Sequence, residues 1–175
     1  MEAKCFYQSP IGVLCIREEN GKITNLHIQK EEESAVTAKD NTWQADRLYR
    51  YDETGERFSS LLNEACRQLD EYFQGKRRQF DLPLSCSGTA FQQRIWNELQ
   101  KIPYGETRSY EDIAAAVGNP KAQRAVGQAN NRNPIIIMVP CHRVIHKNGD
   151  ISGYACGIEA KRYLLDLEAG VSGAV

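Results

Sequence analysis

The N-terminal part of the chain alternates short apolar-rich runs with turn signals. Residues 4–8, 12–17 and 22–29 read as strands separated by Ser9-Pro10 and Asn20-Gly21, and strands so closely spaced pair as an antiparallel meander. Residues 30–56 are polar, acidic at first and without clear periodicity, which predicts loops with one further strand or turn. Phe58, Leu61, Leu62, Ala65, Leu69, Tyr72 and Phe73 then recur at helical spacing, and Gly75 falls where a C-terminal cap belongs. This predicts an amphipathic helix laid over the sheet.

The stretch QFDLPLSCSG at 79–88 is a connector after which the texture changes, so residues 1–88 and 89–175 are read as two domains. The second opens with Thr89 and Gln92 at capping-box spacing, and Phe91, Ile95, Leu99 and Ile102 form one helical stripe that Pro103-Tyr104-Gly105 stops. Ser109 with Asp112 begins another helix through Ile113, Ala114 and Val117, ended by Gly118. Asn119 and Pro120 then stand at the cap and first turn of a third. Two short helices joined so tightly suggest a helix-turn-helix. On the third helix Ala122, Ala125, Val126 and Ala129 form the apolar stripe, with Lys121, Arg124 and Gln128 opposite. Residues 144–151 read as a hairpin turning at Asn148-Gly149, which would make the domain a winged helix, and residues 158–168 form the last helix. The fold class expected is α+β with two domains.

Composition changes this picture little. With 41% apolar and 26% charged residues the chain is globular, and no apolar run approaches the length of a membrane span. The start, Met1 to Cys5, lacks the apolar region of an export signal, so a cytoplasmic location is expected. Charge changes it more. The net charge of -1 is uneven, because residues 89–175 hold ten Lys or Arg against eight Asp or Glu. No acidic residue lies between Asp112 and Asp150, an interval carrying Lys121, Arg124, Arg132, Arg143 and Lys147. Such a strip is either a solvated face or a phosphate-binding one. The six Cys (5, 15, 66, 86, 141 and 156) form no C-x-x-C pair, and with the three His (27, 142 and 146) they show no recognised zinc spacing. Free thiols and no metal are expected.

The chemistry concentrates at PCHRVI, residues 140–145, where a thiol, an imidazole and a guanidinium are consecutive. A sulfur is a strong nucleophile only as thiolate, and a neighbouring base or cation supplies one. Cys141 is the candidate nucleophile and His142 its base. Glu168 follows Leu164 and Leu165 on the last helix and so belongs to the apolar face. It either reaches water at a frayed end or accepts a proton from an imidazole, which would complete a nucleophile, base and orienter arrangement. The pair alone also fits a cysteine hydrolase, which would turn over.

PCHRVI, the upstream Asn133-Pro134, IPYGETRSY at 102–110, GNPKAQRAVG at 118–127 and the terminal LLDLEAG closely resemble the O(6)-alkylguanine-DNA alkyltransferases, densely from Phe91 to Gly170. The resemblance implies a ribonuclease H-like N-terminal domain and a C-terminal winged helix-turn-helix domain. It implies single-use transfer of a methyl or larger alkyl group from O(6) of guanine, and from O(4) of thymine, to Cys141. His142 would draw the thiol proton through a water, Glu168 would orient His142, and Asn133 would brace the loop. The target nucleotide must leave the stack. Arg124 would fill the vacancy, and Tyr110 would donate to the flipped guanine and crowd its phosphate. The third helix would enter the minor groove, where Ala122, Ala125 and Gly127 permit close approach. Backbone groups of Cys141, Val144 and Ala155 would read the guanine edge, with Ser109 and Tyr154 completing the contact set. The partner implied is double-stranded DNA carrying alkylated guanine, met by a monomer without cofactor and without membrane attachment.

Two departures from the family pattern stand out. Many bacterial members carry Arg-Trp after the Tyr equivalent to Tyr154, whereas this chain has Ala155-Cys156, which predicts room for groups as large as benzyl and sets a second thiol near Cys141. Some relatives bind zinc in the N-terminal domain, but only Cys5 has a counterpart and His27 does not match, so zinc is not carried over.

Overall fold

The computed structural model describes residues 2–30, 59–151 and 153–170 of the 175. The expectation of loops with a further strand or turn at 30–56 falls, beyond its first residue, outside the described residues.

Strands β1 (Glu2–Ser9), β2 (Gly12–Glu19) and β3 (Lys22–Ile28) form the expected antiparallel meander in the order β1-β2-β3. Alternation sets the faces: Cys5, Tyr7 and Ser9 of β1 point inward with Leu14 and Ile16 of β2. Helix α1 (Ser60–Phe73) covers that face with Leu62, Ala65, Leu69 and Tyr72. It is capped by Ser59, whose hydroxyl accepts from Leu62 N at 3.0 Å, and is followed by Gly75 at φ 71°, the left-handed conformation that ends a helix. Leu62 and Leu69 are each 1% exposed or less, and burial of each is worth about 1.5–3 kcal/mol.

Helix α2 (Ala90–Gln100) starts with the full Thr89/Gln92 capping box. It buries Ile95 and Leu99 as expected, together with Trp96, whose indole donates to Ala129 O at 2.9 Å. The short strand β4 (Arg108–Ser109) leads into α3 (Tyr110–Ala116), and α4 (Gln123–Asn131) crosses close to it. A 3-10 turn (Cys141–Arg143), strand β5 (Val144–Ile145) and helix α5 (Ile158–Ala169) complete the chain. Edge strand β3 ties the two halves together. Leu26 N donates to Pro134 O at 2.9 Å and Ile136 N to Leu26 O at 3.0 Å, while Ile23 makes the same kind of bridge to residues 83–85.

Three expectations are corrected. Helix α4 begins at Gln123 rather than Asn119, because Ala122 N closes a turn onto Asn119 O at 3.0 Å and leaves Pro120 and Lys121 in that turn. Its buried positions are Val126, Ala129 and Asn130; Ala122 is half-buried and Ala125 faces solvent, so the inward stripe is narrower than the small residues suggest. The turn at Asn148-Gly149 forms, with His146 N donating to Asp150 O at 2.9 Å and Gly149 N to His146 O at 2.9 Å. No second strand follows it among the described residues. Strand β5 instead pairs in parallel with β4, Arg108 opposite Val144 and Ser109 opposite Ile145.

Candidate active site

The loop after α4 is wound tightly enough to fix Cys141. Asn133 Oδ1 accepts from Ile135 N at 2.9 Å and its Nδ2 donates to Val139 O at 2.7 Å, so one side chain holds both ends of the loop. Within it Met138 N reaches Ile136 O and Cys141 N reaches Val139 O, both at 2.8 Å. Ile137 is left at φ 70°, a conformation that costs a β-branched residue about 1–2 kcal/mol and persists only where its surroundings enforce it. Those surroundings include the bridge to Leu26 and the burial of every residue from 135 to 144.

Cys141 is 2% exposed and opens the 3-10 turn. Burial pushes its thiol above the ordinary range, while the Asn133 side chain, the Tyr154 hydroxyl and the Lys161 ammonium work in the opposite direction. The Tyr154 hydroxyl has no partner of ordinary hydrogen-bond geometry among the described residues, and it interacts with the Cys141 sulfur through charge and a looser hydrogen bond. Resting Cys141 is therefore a protonated thiol among groups that favour its anion.

His142 is fully buried, and its Nε2 lies 2.7 Å from Glu168 Oε1. Glu168 is acceptor-only here. It also takes Tyr72 Oη at 2.7 Å on Oε1, Arg143 through Nε at 2.8 Å and Nη2 at 2.9 Å in a two-pronged pair, and Gly105 N at 3.3 Å. Burial alone would raise the Glu168 carboxyl, but hydrogen bonds from His142 and Arg143 outweigh it and hold the group well below the usual carboxylate range. Because the carboxylate can only accept, Nε2 carries the proton of the imidazole. Burial also lowers the His142 pKa against the pull of Glu168, so the ring is neutral and Nδ1 bears a lone pair. That Nδ1 has no hydrogen-bond partner among the described residues. A buried base aligned by a carboxylate thus stands next in sequence to a buried thiol.

Asn133, Cys141, His142, Tyr154 and Glu168 are brought together. Tyr110 is 9% exposed at the start of α3, and its ring lies 5.0 Å from that of His146. A hollow of about 330 Å³ outside it is lined by Gln123, His146, Lys147 and Asn148 among others. Arg124 and Ala125 project outward from α4, with Ala122 and Gly127 half-buried beside them. The Ser109 hydroxyl caps α3 by accepting from Asp112 N at 3.0 Å. The Cys141 carbonyl already takes Asn130 Nδ2 at 3.2 Å and the Val144 N–H, which fills both lone pairs, and the Val144 carbonyl takes Lys161 Nζ at 2.6 Å. Ala155 is exposed. A hollow of about 770 Å³ opens on the other side of the loop, against Tyr104, Met138, Pro140 and Arg143, but the buried sulfur is not among its lining.

Sequence reasoning passed over Tyr72, Asn130 and Lys161 and gave Arg143 only as a neighbouring cation. Lys161 is fully buried, and its ammonium lies 5.9 Å and 5.7 Å from the ring centroids of Tyr110 and Tyr154. A lysine on an amphipathic helix reads as solvated, so only its place one turn before Leu164 hinted at the inner face. Among the described residues no three His, Cys, Asp or Glu side chains cluster to hold a metal ion, and no helix is long and apolar enough to cross a membrane.

Residues 90–170 match the DNA-binding domain of 6-O-methylguanine DNA methyltransferase and residues 4–86 its ribonuclease-like domain. A constitutive methylated-DNA–protein-cysteine methyltransferase of Bacillus subtilis is 49% identical over 162 residues, 92% of each chain. A solved O6-methylguanine methyltransferase of Mycobacterium tuberculosis superposes with a TM-score of 0.79 at 39% identity, covering 100% of this chain and 97% of its own. The structure of Mycobacterium tuberculosis OGT in complex with DNA superposes with a TM-score of 0.76 at 41% identity, over 95% and 92% of the two chains.

Proposed function

The chain belongs to the 6-O-methylguanine DNA methyltransferase family, and from that premise we propose that it repairs DNA by moving an alkyl group from O(6) of guanine, and from O(4) of thymine, onto Cys141. The observation that carries this reading is the 2.7 Å bond between His142 and Glu168, which leaves Nδ1 of a neutral, buried imidazole as base for the adjacent thiol.

The thiol proton passes to His142 Nδ1 through a water as the substrate seats. The thiolate then attacks the alkyl carbon, the carbon–oxygen bond breaks, and its electron pair returns to the guanine. A proton from the protein restores the neutral base at its ring nitrogen, so the net change is a proton lost by sulfur and gained by guanine. The thioether carries no charge and is not displaced by water, which makes each molecule react once. Glu168 remains ionised throughout and stabilises the imidazolium, with Arg143 offsetting its charge.

The target carbon lies inside the duplex, so the nucleotide turns out of the stack. The turn between α3 and α4 supports a helix-turn-helix reading, with the 146–150 turn as a short wing. Arg124 on the outward face of α4 fills the vacated space, and Ala122, Ala125 and Gly127 keep that face flat enough for the minor groove. Tyr110 meets the flipped base, with Tyr154 behind it and Ala155 at the rim. Backbone groups of Cys141, Val144 and Ala155 meet the guanine edge, the Cys141 carbonyl being held by Asn130 and the Val144 carbonyl by Lys161. Ser109 acts through its cap, setting the start of α3 and with it Tyr110. The protein works in the cytoplasm as a monomer without cofactor, its two domains meeting at residues 88–89.

Incubation with methylated duplex followed by intact-mass measurement tests the transfer. One added methyl group per molecule is expected, and Cys141→Ser removes it while retaining duplex binding. An unchanged mass, or turnover beyond one event per molecule, contradicts the reading. Arg124→Ala is expected to slow repair of duplex more than reaction with free O(6)-benzylguanine; equal losses on both would remove the flipping role.

A further inference from the structure

Asn130 is 1% exposed on the inner side of α4, and its amide faces the nucleophile's own peptide. Its Nδ2 donates to Cys141 O at 3.2 Å. A carbonyl only accepts, so this bond fixes which end of the amide meets it and sets Oδ1. Oδ1 is buried and has no hydrogen-bond partner among the described residues, and the same is true of His142 Nδ1. Buried polar atoms left without partners are rare and mark places where a buried water belongs, provided several polar groups converge there. Here the two orphaned acceptors belong to the residue that holds the Cys141 carbonyl and to the residue that follows Cys141, and the Tyr154 hydroxyl interacts with the Cys141 thiol between them in sequence. A water has two protons to donate and two lone pairs, which suits it to sit between two acceptors and receive a proton from a thiol.

We propose that Asn130 is a positioning residue for the proton transfer, holding the Cys141 carbonyl with Nδ2 and anchoring with Oδ1 the water through which the thiol proton reaches His142 Nδ1. The inference rests on the reading of Cys141 and His142 above and adds a group that touches neither substrate nor sulfur. In the transfer, the S–H bond breaks toward the water oxygen as a water O–H bond breaks toward Nδ1. The second water proton stays hydrogen-bonded to Asn130 Oδ1, so water is regenerated with the proton it took from sulfur now donated to the thiolate. Without this anchor the water has one fixed acceptor instead of two, and the thiol waits for a less frequent alignment.

The test measures the rate of reaction with free O(6)-benzylguanine from pH 6 to pH 10 for the wild-type protein and for Asn130→Ala and Asn130→Ser, alongside thermal melting of each. Asn130→Ala is expected to react about ten- to a hundredfold more slowly near neutrality, less than the roughly hundred- to ten-thousandfold worth of the whole positioned proton transfer because His142 remains, and to approach the wild-type rate at alkaline pH, where hydroxide removes the proton directly. Asn130→Ser, which keeps a small polar side chain, should recover part of the loss. A loss of equal size at every pH, or none in a folded variant, overturns the proposal. Should neither variant fold, a crystal structure of the wild-type protein decides: a water within hydrogen-bond distance of both Asn130 Oδ1 and His142 Nδ1 supports it, and a dry site overturns it. A wild-type protein that gains benzyl on Cys141 while Asn130→Ala keeps the same pH profile refutes the positioning role alone. A wild type that gains nothing refutes the transfer itself.

Discussion

Tyr72 and Glu168, separated by 96 positions, are joined by a 2.7 Å hydrogen bond in which the phenol donates to the carboxylate that orients His142. The helix that covers the N-terminal sheet thus reaches into the chemical centre of the other half. The bond is buried and ends on a charge, so its loss leaves one acceptor position of a desolvated carboxylate unmet. Tyr72→Phe is expected to lower unfolding free energy by about 1.5–3 kcal/mol and to slow alkyl transfer, with Arg143 and His142 still holding the carboxylate. Urea unfolding and single-turnover rates check both effects. A variant as stable as the parent would show that this contact does not couple the halves.

Acid should weaken the fold in two stages. Burial lowers the His142 pKa below its ordinary 6.5, so between that value and its folded one the unfolded chain binds more protons. Glu168 is held below its ordinary 4.5 chiefly by His142 and Arg143, against burial. Each group has a folded pKa below its unfolded one, so each contribution is present above the unfolded value and fades as pH falls toward the folded value. Unfolding free energy measured in urea is expected to decline from about pH 6.5 and more steeply below about pH 4.5. Glu168→Gln should shrink the second decline, to which Glu64 and Asp112 also contribute, and cost several kcal/mol at neutral pH, because Arg143 is left as a buried cation without its counter-charge. A flat profile in the parent from pH 7 to pH 4 would contradict the charge assignment.

How far the sequence carried these conclusions depended on which physical signal each residue leaves. The meander, α1 and the caps at Thr89 and Ser109 were legible because alternation, helical spacing and capping boxes are local. Cys141, His142 and Glu168 were legible from residue type and from the inward phase of Glu168 on α5. The start of α4 was misplaced because Asn119-Pro120 suits a turn as well as a cap, and only the packing of Val126 and Ala129 decides between them. Of the 144–151 hairpin only the turn is local; the strand partner of β5 is β4, far upstream and parallel, and no local pattern announces it. Tyr72, Asn130 and Lys161 escaped notice because each looks ordinary on its own element. Their roles arise only where elements distant in sequence meet.

Lys161 gives the thiol a tunable counter-charge. Burial lowers its pKa to about 8, with Cys141 and Asp150 pulling the other way, so the ammonium is charged at neutrality and fades above that value. Its charge favours the Cys141 anion. Lys161→Met is expected to cut the rate with free O(6)-benzylguanine near pH 7 by about tenfold, the effect of about one unit on the thiol, and Lys161→Arg to retain more of it. The rate-against-pH curve of the parent should bend near 8, and that bend should vanish in the methionine variant. An unchanged curve would leave Lys161 with only its bond to the Val144 carbonyl.

Cys156 lies within electrostatic reach of Cys141, and on the proposed reading a larger side chain there narrows the space for the alkyl group. Burial raises its thiol to about 11 and the neighbouring Cys141 adds to the rise, which places the two sulfurs within electrostatic reach. The preceding Ala155 is exposed and offers no bulk, and Cys156 is only half-buried. If the guanine seats as proposed, a benzyl group needs room on this side of Cys141, whereas a methyl group needs almost none. Cys156→Trp is therefore expected to slow reaction with O(6)-benzylguanine by about ten- to two-hundredfold, the discrimination a few filled carbon positions provide, while methyl transfer from duplex stays near the parental rate. Intact-mass time courses on the two substrates measure the ratio. Equal losses would indicate a collapsed site, and a parental benzyl rate would place the alkyl space elsewhere, on the side bounded by Tyr110 and His146.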